Sequence, residues 1–196
     1  MERRELLKMI AAATGAAMVG LPALVYGQAP AAGATHAFSA ADIAKLDEIA
    51  ETILPRTRTP GAKDAGAGAF MAQFVSDCYT AQEQATFRAG LADIDKRAGG
   101  RFVALAPQAR TDLLRTLDGE ARKHATAHGG NGVTGTGAAE VPNVMPHYFT
   151  MIKQLTIFSF FTSKVGATEV LRYVAVPGRY DGDVAYEPGT PAWATG

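Results

Sequence analysis

One stretch, His147 to Gly182 (HYFTMIKQLTIFSFFTSKVGATEVLRYVAVPGRYDG), constrains the rest of the chain. Phe149, Ile152, Leu155, Thr156, Phe160 and Val165 recur mostly at three- and four-residue steps, the spacing of one helix face. Phe158 and Phe161 widen that stripe until the helix is apolar nearly all round, with only Lys153, Gln154 and Lys164 interrupting it. Such a helix must be covered on several sides, so the pattern predicts a central position in a bundle and a fully buried Phe158. From Tyr173 the text changes to an irregular arm with turn pairs at Pro177-Gly178 and Asp181-Gly182.

The remaining segments supply helices for that centre to pack against. Ser39 followed by Asp42 signals a helix start, and Ile43, Leu46, Ile49, Ala50, Ile53 and Leu54 form a stripe that Pro55 ends. After a loop over residues 55–68, a second helix begins near Ala67 and is expected to carry Phe70, Phe74, Val75 and Cys78 inward. Thr80 with Glu83 reads as a capping box, followed by Phe87, Leu91, Ile94 and Ala98 on one face until Gly99-Gly100. Pro107 suits a first helical turn, and Leu113, Leu114 and Leu117 give the helix behind it a buried side as far as Ala127. Residues His128 to Ala139 are low in complexity and read as a surface loop. Pro146 opens the central helix, and Gly166 to Tyr173 can form one more short one. No stretch alternates like a strand. The expected fold is an all-α, single-domain bundle of five or six helices over residues 39–196, with an extended irregular C-terminal arm.

Residues 1–27 are read apart from this fold. Arg3-Arg4, Leu6-Leu7 and Lys8 precede a mild apolar run from Met9 to Val25, the pattern of a twin-arginine export signal. Glu2 stands where such signals usually carry Ser or Thr, and Glu5 weakens the basic region. Cleavage after Gly27 is expected. The alternative is an uncleaved anchor, but Gly15, Gly20 and Pro22 make a stable span less favourable. Residues 28–38 are rich in small side chains and read as a flexible linker. Removing the signal takes away three basic and two acidic residues of 19 each, so the rest stays near neutral. Neutrality, without a basic cluster, argues against nucleic acid as a partner.

Motifs with catalytic meaning are few. Gly130-x-Gly132-x-x-Gly135 matches a dinucleotide spacing but follows a helix instead of a strand, so the match is rejected. His124 and His128 are four apart with no acid between them, and they read as solvated side chains near a helix C-terminus. Cys78 is the single cysteine, which rules out an intramolecular disulfide and a C-x-x-C-H haem attachment; a packed thiol is expected. The sequence therefore assigns no catalytic, cofactor-binding or metal-ligating residue. What remains is a tail dense in residues common at binding hot spots: Arg172, Tyr173, Arg179, Tyr180, Asp181 and Trp193. These residues either dock a partner or wrap back on the bundle.

Two blocks carry a resemblance. Residues 160–182 (FFTSKVGATEVLRYVAVPGRYDG) and 49–71 (IAETILPRTRTPGAKDAGAGAFM) resemble the C-terminal and N-terminal parts of the gluconate 2-dehydrogenase subunit 3 family. Asp183 stands where relatives often place a cysteine after YDG. The resemblance implies a small exported accessory subunit of a flavin-dependent dehydrogenase. It implies FAD in a large flavoprotein subunit and haem c in a cytochrome subunit, with the twin-arginine translocase as export partner. It also implies a periplasmic location, membrane-associated through the complex. On this reading the chain is not itself an enzyme. A stand-alone periplasmic helical ligand-binding protein is the alternative, and an enzyme using His147, Tyr148 or Asp181 ranks last.

Overall fold

Local chemistry sets each helix boundary in the computed structural model, which describes residues 38–128, 144–176, 178, 182–183, 185 and 187–194. The export signal, the linker up to residue 37 and the glycine-rich loop lie outside the described residues. Helix α1 (Ala40–Ile53) starts where the Ser39 hydroxyl accepts the Asp42 amide at 3.2 Å and the Asp42 carboxylate accepts the Ser39 amide at 3.1 Å. Helix α2 (Ala67–Cys78) follows a loop stitched by acids. The Glu51 carboxylate accepts the backbone amides of Arg56 at 2.8 Å and Lys63 at 3.0 Å, and Asp64 accepts that of Gly61 at 2.8 Å. A Cβ on Gly61 would sit 2.4 Å from the Glu51 carboxylate, so this turn admits no side chain there.

The α1–α2 pair is held close by Gly68. Its amide donates to Asp47 at 2.8 Å, and a Cβ would approach the Ile43 carbonyl to 2.6 Å. Met71, Ala72 and Val75 then face the core beside Leu46, Ile49 and Ala50 of α1. Here the expected inward set of α2 is corrected. Val75 is buried and Phe74 half-buried, but Phe70 is 37% exposed and the Cys78 thiol lies on the surface. The inward arc of this short helix is fixed by the glycine contact with α1, which turns Met71 instead of Phe70 toward the centre.

Helix α3 (Ala81–Arg97) is capped by Thr80, whose hydroxyl accepts the Glu83 amide at 3.3 Å while Glu83 accepts the Thr80 amide at 2.8 Å. It buries Phe87, Leu91 and Ile94 and ends at Gly99, whose φ of +69° suits glycine. Phe38 packs edge-on against Phe87 at 6.0 Å, so the last residue of the stretch read as a linker joins the bundle. A short 3₁₀ turn (Phe102–Ala104) buries Phe102 completely. Helix α4 (Pro107–Ala127) follows with Leu114, Leu117 and Ala121 inward. Arg110 ties these pieces together: it donates to the carbonyls of Leu105 at 3.0 Å and Val103 at 2.6 Å and pairs with Glu48 of α1.

Helix α5 (Tyr148–Thr162) touches all four other helices, as the apolar pattern predicts. Phe149, Met151, Ile152, Leu155 and Phe160 are buried, and so are Thr156 and Ser159, whose hydroxyls donate to the carbonyls of Ile152 and Thr156 at 2.9 and 3.0 Å. The helix ends earlier than the stripe implied. Ser163 breaks it by donating its hydroxyl to the Phe160 carbonyl at 2.7 Å, so Val165 belongs to the next turn. A π-helical turn over Gly166–Val170 follows, closed by Gly166, where a Cβ would lie 2.0 Å from the Phe160 carbonyl. Phe158 is also corrected: it is 46% exposed. The architecture is all-helical, with no strand among the described residues and one isolated bridge between Arg172 and Trp193.

Two glycines inside helices allow a paired test. Gly90 of α3 lies against Tyr148, where a Cβ would fall 2.3 Å from the ring, whereas Gly119 of α4 has open space around its Cβ position. Alanine gains about 1 kcal/mol of helix propensity over glycine at either site, but overpacking costs about 1–3 kcal/mol. Thermal melts should therefore show Gly119→Ala raising the midpoint and Gly90→Ala lowering it. Equal shifts at the two positions would contradict the close α3–α5 approach.

Candidate functional site

Three surfaces concentrate the side chains that can do chemistry or bind. The first is the polar junction at the start of α5. The Tyr148 hydroxyl donates to Asp93 at 2.6 Å, and Arg97 bridges Asp93 at 2.6 Å and Glu120 at 2.7 Å. His147 stacks on Tyr148 with ring centroids 4.5 Å apart, and its Nδ1 accepts the Phe149 amide at 3.2 Å as the helix cap. Burial, reinforced by Asp93, raises the Tyr148 phenol above its ordinary range, so it is a protonated donor at neutral pH. The Tyr148 hydrogen bond and Arg97 in turn hold Asp93 below the usual carboxylate range. Each group is engaged in holding α5 to α3 and α4. His147 and Tyr148 are thus brought together in structural roles, while Asp181 lies outside the described residues.

His124 and His128 pack ring against ring at 4.4 Å near the end of α4, with His128 exposed and His147 5.9 Å from His124. No group of three metal-capable side chains occurs among the described residues.

The second surface is the arm. Arg172 and Trp193 meet: the Arg172 amide donates to the Ala192 carbonyl at 2.8 Å, and the Ala194 amide donates to the Arg172 carbonyl at 3.0 Å. The guanidinium lies 3.7 Å from the centroid of the indole, a cation–π contact worth about 0.5–1 kcal/mol at an exposed site. This clasp closes the base of the arm. Trp193 still presents 46% of its surface, and Tyr173 presents 49%. Of the sequence-derived set, the structure joins Arg172 and Trp193 and leaves Tyr173 outward. Arg179, Tyr180 and Asp181 lie outside the described residues, as do Arg3, Arg4, Leu6, Leu7 and Lys8 of the export signal.

The third surface was not anticipated. Phe70, Phe74 and Phe158 form a triangle with centroids 5.7–5.8 Å apart, joining α2 to the outer side of α5. Gln154, Ile157, Phe158 and Phe161 are exposed positions of that outer side, with Gln154 three and four residues before Ile157 and Phe158, and Phe161 four and three after them. Ile157 is 41% exposed and Phe161 38%. The signal was present in the sequence. Phe149, Ile152, Leu155 and Phe160 already fill one side of the helix, so further large apolar residues had to face outward unless another element covered them.

The described residues form a small all-helical bundle with surplus aromatic side chains on its outer side. Residues 40–178 match the model of the gluconate 2-dehydrogenase subunit 3 family, and the chain belongs to that family. The match contains the 49–71 block whole and the 160–182 block up to its glycine turn. The family is a subunit of a gluconate 2-dehydrogenase complex. No curated protein and no solved structure matches the chain.

The junction around His147 predicts a pH response. Burial and then His124 hold the His147 imidazole below its ordinary 6.5, with Glu120 of α4 and Asp93 and Arg97 of α3 also facing it. The unfolded chain therefore binds that proton more readily, and stability present above about pH 6.5 declines as pH falls through that value. Asp93, Glu120 and Asp118 have depressed values, so their contribution is lost only at lower pH, as each is titrated. His147→Asn keeps a capping acceptor without titrating. Its melting temperature should be flatter than that of the unmodified chain between about pH 7 and 5, with the acid limb below about pH 4 retained.

Proposed function

We propose that this chain is a non-catalytic subunit of an exported, flavin-dependent gluconate or related sugar and alcohol dehydrogenase complex. It binds the flavoprotein subunit, stabilises it and brings the export signal under which both cross the membrane folded. The observation that carries this reading is the family match over residues 40–178. The fold supports it: the ionisable groups best placed for chemistry, His147, Tyr148 and Asp93, are committed to holding α5 in place.

On this reading FAD sits in the large subunit and haem c in a cytochrome subunit, and those groups carry the hydride and electron steps. The chain contributes surface, not redox chemistry. Arg3, Arg4, Leu6, Leu7 and Lys8 address the complex to the twin-arginine translocase, and a flavoprotein partner encoded without an export signal of its own would support this route. Attachment to the membrane then comes through the complex.

Affinity purification of the tagged full chain from the periplasm should bring down a flavoprotein with its flavin absorbance. The chain purified by itself should be colourless and inactive with gluconate and an artificial acceptor. Turnover by the clean single chain would refute the non-catalytic assignment. Arg3→Lys combined with Arg4→Lys should strand both the precursor and the flavin-loaded partner in the cytoplasm. Normal export of the double variant would replace the twin-arginine route with general secretion.

A further inference from the structure

We infer that the aromatic face built by Phe70, Phe74, Phe158 and Phe161 is the seat of the dehydrogenase's catalytic subunit, an inference that rests on the subunit reading above. Large apolar side chains on the outside of a helix lower stability in water unless something covers them. Here Phe70 and Phe158 meet in the triangle, Ile157 and Phe161 lie on the outer side of α5, and each of the four presents between 37% and 46% of its surface. With about 200 Å² per aromatic side chain, they expose on the order of 300 Å² of apolar surface. Patches of that size on a single chain are commonly functional.

Charge narrows the occupant. Helix α2 carries no Lys or Arg, and Asp77 is its one charged residue. The single basic residue of α5, Lys153, is bound to Asp118 of α4 at 2.6 Å. Beyond the two helices, Lys164 follows Phe161 by three residues and Arg122 of α4 lies in the groove beside Ile157, paired with Asp118 at 2.7 Å. An anionic lipid surface selects a denser border of unpaired Lys and Arg than this. The Phe70–Phe74–Phe158 triangle itself is uncharged and aromatic, the composition of a protein–protein interface core.

Area separates a second copy from a different subunit. Two copies meeting on this patch alone would bury about 600 Å² in total, roughly half of what a small stable interface requires. A larger catalytic subunit can cover the patch and continue over the polar surface around it, as a hot-spot core with its rim requires. The family is defined as one subunit of a multi-subunit dehydrogenase, so a different chain is available to do so. Phe158 is the most exposed member of the triangle and makes the natural anchor.

The test uses the full chain co-expressed with the flavoprotein subunit from the same genome, with the affinity of the purified pair measured for several variants. Phe158→Ser and Phe161→Ser should each weaken the pair by about tenfold or more. Gln73→Arg, on the exposed side of α2, removes no ring and leaves the fold's packing intact, yet should weaken it similarly by placing a charge beside the patch. Circular dichroism melts of the isolated variants identify any that fail to fold, and Gln73→Arg then decides. Affinities equal to the unmodified chain for Gln73→Arg and Phe161→Ser would overturn the inference while leaving the subunit reading intact. It would also be overturned if the variants only abolished self-association of the isolated chain. Loss only of binding to vesicles of phosphatidylcholine and phosphatidylglycerol would overturn it too. If the unmodified chain does not bind the flavoprotein at all, the subunit reading itself fails.

Discussion

Burial of α5 against its four neighbours is the constraint on which the bundle depends. Each of the other helices is amphipathic and presents one apolar side, so none can serve as a centre. Helix α5 can, because Phe149, Ile152 and Phe160 spread its buried arc widely and its two inward hydroxyls are satisfied by their own backbone. The close contacts follow from that role. Gly90 lets α3 reach Tyr148, and Gly166 lets the chain turn sharply against the Phe160 carbonyl once the helix has ended. The same strong apolarity leaves Ile157, Phe158 and Phe161 facing out. Core and exposed aromatic face are two sides of one helix.

Polar groups then fix how the outer helices sit. Glu48 on α1 receives both Lys63 from the following loop and Arg110 from α4, while Arg110 also reaches two carbonyls of the 3₁₀ turn. Lys45 pairs with Asp95, which in turn accepts the Phe102 amide at 2.9 Å. Such partly buried pairs add less to stability than the apolar core does, because desolvation offsets much of their attraction. Their directionality sets register. Glu51 and Asp64 do similar work within one loop, which explains why the 49–71 block is recognisable as text: its acids and glycines encode one turn shape.

Much of the fold was legible because helix signals are local. Ser39 with Asp42, Thr80 with Glu83, Pro55, Pro107 and Gly99 mark boundaries through chemistry that acts within four residues. The buried positions of α1, α3 and α4 follow from periodicity for the same reason. The failures share one cause. Which of several apolar residues on α2 or α5 faces inward depends on neighbours distant in sequence, and Phe70, Cys78 and Phe158 were placed without them. The site was less legible still. Arg172 and Trp193 stand 21 positions apart, a separation that helix periodicity does not reach. The aromatic triangle needed two helices separated by some eighty residues to meet.

The late position of α5 also governs when the protein can fold. A ribosome delivers the chain from its N-terminus, and α1 with α2 can pair as soon as both have emerged, since their contacts are near in sequence. The remaining outer helices have no shared centre until residues 148–162 appear, after all of them. Until then their apolar sides are open to water and to chaperones. Completion of the core therefore waits for α5, and the outer aromatic side of α5 is displayed only once its inner side has closed the bundle. A partner that reads this face meets a finished protein.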